Sequence, residues 1–221
     1  AADAAELGAH WIELDTRLAA DGTLVVMHDA RVDRTTDGRG RVRELDPARL
    51  RELDAGSWWS SAYRREPVPT LDAALDLAVA LGLGVNIEIK ADDVGDAARA
   101  GVAVAERLRT GSTRPAVLVS SFARAALEAL RRTGATVAIG LLTGAEMRRR
   151  DLDEARALAA TSLHADHRGW CEESVAAASA SGLWPAAYTV NDTAEAARLW
   201  RIGVRTIITD HPQTLLPLAP Q

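Results

Sequence analysis

The chain has 221 residues, enough for one sizeable core, and 48% are hydrophobic, mostly Ala, Leu and Val, with aromatics at only 4%. A formal charge of −5 and a pI near 5.6 give no basis for nucleic acid as a partner, and no apolar run is long enough to span a bilayer. Cys171 is the single cysteine, which excludes an internal disulfide; without a Cys-His pairing signal it reads as a helix-start residue.

The chain opens Ala1-Ala2-Asp3-Ala4-Ala5, already inside a helix that ends at Gly8. The cytoplasm is the expected location, with a leader upstream left open. A strand follows at Trp11–Leu14. Between 16 and 70 no long helical pattern occurs. Asp21-Gly22 marks a tight turn, the apolar run Leu24–Met27 comes next, and Asp37-Gly38-Arg39-Gly40 follows, which together predict a hairpin and a long excursion. Loops of this length inside a compact domain are usually functional. Trp58 and Trp59 read as packing residues that anchor it.

Beyond Thr70, apolar runs and amphipathic stretches alternate. Strands are predicted at Val85–Ile89, Ala116–Val119, Val137–Gly140, Thr161–Leu163, Ala186–Val190 and Arg205–Ile208. Helices are predicted at Leu71–Leu81, Val94–Arg109, Ala123–Arg132, Glu172–Ser181 and Thr193–Ile202. Gly82, Gly111, Gly134, Gly182 and Gly203 close helices, while Thr70 and Asp192 stand at N-cap positions. Arg148, Arg149 and Arg150, interleaved with acids, read as a solvated helix face.

This alternation makes a mostly parallel α/β sheet. No glycine-rich dinucleotide loop follows any strand, which argues against a doubly wound sheet. Polar groups recur at strand ends: Asp15, Glu88 with Lys90, Ser120 with Ser121, His164, Asn191 and Asp210. That is where barrel enzymes build their sites, so the expected fold is a (β/α)8 TIM barrel spanning 1–221 as a single domain. Seven strands are countable, and the first is expected to precede residue 1.

Glu13 and Asp15 lie two apart in a strand and so project to one side. Two such carboxylates repel unless a hard cation neutralises them; the plain alternative is a solvated polar face on an edge strand. Glu88 and Lys90 repeat the spacing. Three carboxylates from two strands can make one Mg²⁺ or Ca²⁺ site, and Lys90, the chain's only lysine among 26 basic residues, can meet a phosphate as a point charge. His28 ends the run Leu24–Met27. It is either a satisfied core histidine or a general acid/base at the site's mouth, with Asp29 orienting its ring or capping the turn.

These motifs, taken together, resemble the glycerophosphodiester phosphodiesterase family. Glu13-x-Asp15, then Asp21-Gly22 through Val25-Val26-x-His28-Asp29, then Arg34-Thr35-Thr36 carry the likeness. Pro67–Leu71, Asn86–Lys90, Ser120-Ser121-Phe122, Thr189-Val190-Asn191 and Thr209-Asp210-His211-Pro212 continue it in order. The resemblance implies a TIM barrel that hydrolyses a small-molecule glycerophosphodiester to an alcohol and glycerol 3-phosphate. It implies Glu13, Asp15 and Glu88 as ligands of one divalent cation, Mg²⁺ or Ca²⁺, and His28 and Lys90 as catalytic groups. Lys90 would contact phosphate, Tyr188 stands where the family usually has Trp and would keep an aromatic wall for substrate, and Asn191 would sit nearby. The family's His-Arg-Gly and Pro-Glu-Asn are not found before Glu13. A first strand, a second histidine and an arginine are therefore expected upstream, and the 221-residue stretch alone is expected to show little or no activity. The attacking oxygen, water or the glycerol hydroxyl, stays open, as do head group and oligomeric state.

Two other classes are distinguishable. A Schiff-base aldolase using Lys90 would be trapped by borohydride and indifferent to chelator, but leaves Glu13, Asp15 and His28 without a role. A non-catalytic relative would bind ligand with metal and never turn it over.

Overall fold

The computed structural model describes residues 1–111 and 115–220. A short helix, α1 (Ala2–Glu6), leads into β1 (Trp11–Leu18), which turns back into β2 (Leu24–Val26). The turn follows from its residues. The Asp21 carboxylate accepts the Thr23 N–H at 2.8 Å, and Gly22 takes φ +92°, a conformation costly for any residue with a Cβ. The two strands pair antiparallel, Thr16 opposite Val26 and Leu18 opposite Leu24, so the expected hairpin is present.

The excursion then runs through α2 (Pro47–Arg51) and ends at α3 (Leu71–Leu81). Thr70 caps α3 by accepting the Ala73 N–H at 3.2 Å. The excursion has its own small core of Ala19, Val25, Met27, Val32, Val42, Leu50, Leu53 and Val68. Trp58 and Trp59 do not pack into that core, contrary to expectation: they are 50% and 72% exposed, although the Trp58 indole N–H ties to the loop by donating to the Ala55 carbonyl at 2.8 Å. That core is built from aliphatic side chains and Met27.

From here strand and helix alternate: β3 (Gly84–Ile89), α4 (Val94–Thr110), β4 (Val117–Ser121), α5 (Arg124–Arg132), β5 (Ala138–Thr143), α6 (Arg149–Ala157), β6 (Ser162–Asp166), α7 (Glu172–Ala180), β7 (Trp184–Tyr188), α8 (Thr193–Arg201), β8 (Thr206–Ile207) and α9 (Pro212–Leu215). The sheet order is β2-β1-β3-β4-β5-β6-β7-β8, parallel at every step from β1 onward. All seven strands expected for the barrel are present. Gly82, Gly134, Gly182 and Gly203 close helices with positive φ, whereas Gly111 ends α4 in an extended conformation at φ −66°. Cys171 is the N-cap of α7.

One face of the sheet packs on the helices, with Val85, Ile87, Ile89, Val119, Ile139 and Leu163 all buried there. The backbones of α4 and α5 approach so closely that no Cβ fits at Gly101 against the Ala126 carbonyl. The other face turns inward. The sheet is curled in the manner of a TIM barrel, so far that Asp210, just beyond β8, acts electrostatically on Glu13 in β1. No ladder joins β8 to β1 among the described residues. No helix among them is long and apolar enough to cross a membrane.

Arg131 staples the N-terminal side of the sheet. Its guanidinium donates to the carbonyls of Leu158 at 3.2 Å, Ala135 at 3.0 Å, Val137 at 2.7 Å and Ala159 at 3.1 Å. Arg131→Leu leaves these acceptors without their donor, so unfolding free energy is expected to drop by about 2–4 kcal/mol. Urea denaturation with unchanged slope checks this; a loss below about 0.5 kcal/mol would mean that water replaces the staple.

Candidate active site

β1 and β3 lie in parallel register with Asp15 opposite Glu88 and Glu13 opposite Asn86. Residues in register share a face, so the two-residue spacing within β1 and the pairing with β3 aim all three carboxylates into the interior. Their oxygens lie within 4.8 Å of one another. Burial first, then the charges of Asp15 and Glu88, push the Glu13 pKa up to about 8. Glu88 is also raised, chiefly by burial. Oε1 of Glu13 is buried without a hydrogen-bond partner. Buried carboxylates left in that state are costly, and a hard cation with oxygen preference relieves desolvation, repulsion and the orphan atom together. This acidic group can therefore hold a metal ion.

The cluster's electrostatics make a direct expectation. Because Glu13 prefers its proton in the folded chain, metal-free stability is expected to fall as pH rises from the ordinary value of 4.5 through about 8. Below that window both folded and unfolded forms carry the proton and nothing is lost. Divalent cation or Glu13→Gln should flatten the decline, read as melting temperature against pH. An unchanged slope in Glu13→Gln would assign the decline to other groups.

Lys90 pairs with Glu88 and, at 3.3 Å, with Asp15. Burial works against its charge, but the two carboxylates outweigh burial and hold its pKa above the ordinary value. Its ammonium sits 5.7 Å from the Phe122 ring centroid, and Phe122 meets Tyr188 edge-on at 5.8 Å. The Tyr188 hydroxyl donates to the Thr143 carbonyl at 2.7 Å, and burial lifts its pKa to about 12. What Tyr188 offers the site is therefore its ring.

His28 follows β2, which the hairpin folds back onto β1. Nδ1 of His28 lies 2.7 Å from Asp29, whose carboxylate is gripped by Arg34 through Nε at 2.6 Å and Nη2 at 3.0 Å. That grip holds the Asp29 carboxyl well below the usual range, with His28 contributing less. The backbone is braced as well. Arg17, two residues beyond Asp15 and on the same face, donates to the His28 carbonyl at 2.9 Å and to Asp92 at 2.9 Å. Both side chains of that ion pair are only 12% and 11% exposed. The His28 imidazole is the least of the influences that act on Glu88, which puts the ring within electrostatic reach of the acidic cluster.

The other polar strand ends have different duties. Asn191 donates to Asp210 at 2.9 Å and accepts from Thr209 and the Asp210 N–H, so its amide ties the ends of β7 and β8 together. Ser121 donates to the Ile89 carbonyl at 2.7 Å. His164 is buried against Ser162 at 2.9 Å, and burial pulls its pKa down to about 4. Arg17, Arg34, Asp92 and Phe122 make contacts around this site that were not assigned from sequence. The Asp15–Arg17 spacing held the signal for Arg17, whereas nothing in the spacing of Arg34 foretells its grip on Asp29.

Fold and site together define a TIM-barrel type of enzyme, with an acidic, lysine-bearing centre on the inner face at the C-terminal strand ends. Comparison with known proteins makes this specific. The chain belongs to the glycerophosphoryl diester phosphodiesterase family, whose model matches residues 1–214. It is 33% identical over 217 residues to a glycerophosphodiester phosphodiesterase of Caldanaerobacter subterraneus subsp. tengcongensis, covering 97% of this chain and 88% of that protein. A Bacillus subtilis glycerophosphodiester phosphodiesterase is 32% identical, covering 95% of this chain and 76% of its own. Among solved structures, an Oleispira antarctica phosphodiesterase in complex with the product sn-glycerol-3-phosphate superposes with a TM-score of 0.92 at 29% identity, over 98% of this chain and 87% of that one. The Agrobacterium tumefaciens glycerophosphodiester phosphodiesterase gives 0.75 at 26% identity, over 95% and 87%.

Proposed function

We propose that this protein hydrolyses glycerophosphodiesters to an alcohol and sn-glycerol 3-phosphate, using one divalent cation, Mg²⁺ or Ca²⁺, held by Glu13, Asp15 and Glu88. The observation that carries this reading is the convergence of those three carboxylates within 4.8 Å beside Lys90. The product bound by the Oleispira relative supports the choice of substrate. A phosphodiester resists attack through its negative charge and its poor alkoxide leaving group, and a bound cation withdraws charge from the phosphoryl oxygens.

The chain's own residues do the rest. Lys90, kept charged by its carboxylate partners, stabilises the charge that builds on phosphate in the transition state. His28 gives or takes one proton at Nε2, because Asp29 engages Nδ1 and fixes the ring. It supplies one of the two proton transfers the hydrolysis requires. The rings of Phe122 and Tyr188 form a wall beside Lys90, and Asn191 contributes by bracing Asp210. In this reading residues 1–221 work as one barrel domain, with the 16–70 excursion as the wall that carries His28.

The test is release of glycerol 3-phosphate from glycerophosphocholine and glycerophosphoethanolamine by the full-length protein, before and after chelation. Activity should vanish with chelator and return with Mg²⁺ or Ca²⁺. Full rates in a metal-stripped preparation would end the cation part of the proposal, and absence of glycerol 3-phosphate from either substrate would end the rest.

A further inference from the structure

Within the excursion, residues 54–66 close on themselves. The Asp54 carboxylate accepts the N–H groups of Gly56 at 3.0 Å and Ser57 at 2.9 Å and the Ser57 hydroxyl at 2.6 Å. Ala55 donates to the Glu66 carbonyl at 2.7 Å, and the Tyr63 carbonyl packs so tightly on Gly56 that no Cβ fits there. This well-tied loop nevertheless faces water. Every residue from 57 to 67 except Ser60 is exposed. Trp58 is 50% exposed, Trp59 72% and Tyr63 44%. The chain has only six Trp, two Tyr and one Phe, yet three of them stand in solvent on this one loop. The excursion's core contains none of these rings, so their exposed faces form an aromatic surface outside it.

We propose that this loop docks on a phospholipid surface. Its rings are exposed within one short, continuous run of residues, which suits a broad soft surface; a single short loop offers less area than a stable protein interface buries. Trp59 and Tyr63 keep an indole N–H and a hydroxyl with no partner among the described residues. Rings with an apolar body and a wet tip fit the headgroup layer, where each half finds its own medium. Arg64 and Arg65 come next, also without a carboxylate partner among the described residues, and Glu66 is the one acid in the exposed run. Two such arginines meet lipid phosphates, and anionic lipid should strengthen the contact. Trp58 lies against Arg34, ring centroid to Cζ 5.9 Å, and Arg34 grips the Asp29 that holds His28, so docking places the site's mouth near the lipid. The inference stands independently of the hydrolytic reading.

Flotation of the full-length protein with phosphatidylcholine vesicles, with and without phosphatidylglycerol, tests it. Binding to both is expected, tighter with phosphatidylglycerol, with a blue shift of tryptophan emission. Trp59→Ser should weaken partitioning by about tenfold to both vesicle types. The double substitution Arg64→Gln with Arg65→Gln should remove only the increment from phosphatidylglycerol. Circular dichroism and melting temperature should stay unchanged in both, since neither touches a core. No flotation with either vesicle would overturn the proposal, as would flotation that survives Trp59→Ser. A Trp59→Ser effect on sedimentation mass in place of vesicle binding would assign the loop to a second copy of the chain and overturn it as well.

Discussion

Glu88→Gln is expected to weaken divalent-cation binding strongly and to lower kcat/KM of the full-length protein by about three orders of magnitude, because one neutral amide replaces the carboxylate that stands opposite Asp15 and pairs with Lys90. Glutamine keeps the shape, so the loss falls on charge. Two carboxylates remain, and with a neutral amide in place of the third the cluster holds a hard cation far more weakly. The direct readout is thermal: Mg²⁺ or Ca²⁺ should raise the melting temperature of the wild-type chain far more than that of Glu88→Gln. Without cation the variant should unfold no earlier than wild type, since one of the charges that push Glu13 upward is gone. A wild-type cation response in Glu88→Gln would remove the carboxylate site, whatever happened to activity.

The acidic centre was legible in the sequence because strand geometry is strict. Alternation alone puts Glu13 beside Asp15 and Glu88 beside Lys90, and parallel neighbours in register share a face. Helices α3, α4, α5, α7 and α8 were equally readable, through apolar spacing and the caps Thr70 and Asp192. Less local features were not. At α6 only the solvated face at Arg148, Arg149 and Arg150 was read, and its bounds were not, because few of its residues are apolar; Asp151 starts it by accepting the Arg148 N–H at 2.7 Å, and Ala155 is the one apolar residue it fully buries. Trp58 and Trp59 were expected to pack because hydrophobicity says that a ring can be buried, not that the nearby core is built from it. The His164 environment depends on Ser162 and on the missing side chain of Gly140, where a Cβ would collide with the imidazole. That fact belongs to strand register and not to any single segment.

His28→Ala should lower kcat by about two to four orders of magnitude with little change in KM, and should leave the cation-induced rise in melting temperature intact. The split follows from geometry. His28 belongs to the hairpin wall, its side chain is 62% exposed, and it is bound to Asp29 and not to the carboxylate cluster. Its loss removes a proton donor or acceptor without removing a ligand. Asp29→Asn is the finer probe: the amide can still contact Nδ1 and keep Arg34 nearby, but it no longer supplies the full negative charge that Arg34 grips and that fixes the ring. A smaller fall, about tenfold to a hundredfold in kcat, is expected. Arg17→Met, which releases the His28 carbonyl and leaves Asp92 facing Arg41 and Arg43 alone, should act in the same direction. If His28→Ala kept wild-type turnover, the imidazole would have no part in proton transfer. If it lost the cation response instead, His28 would have to be counted among the ligands, and the separation between an acidic centre that holds charge and a histidine wall that moves protons would fail.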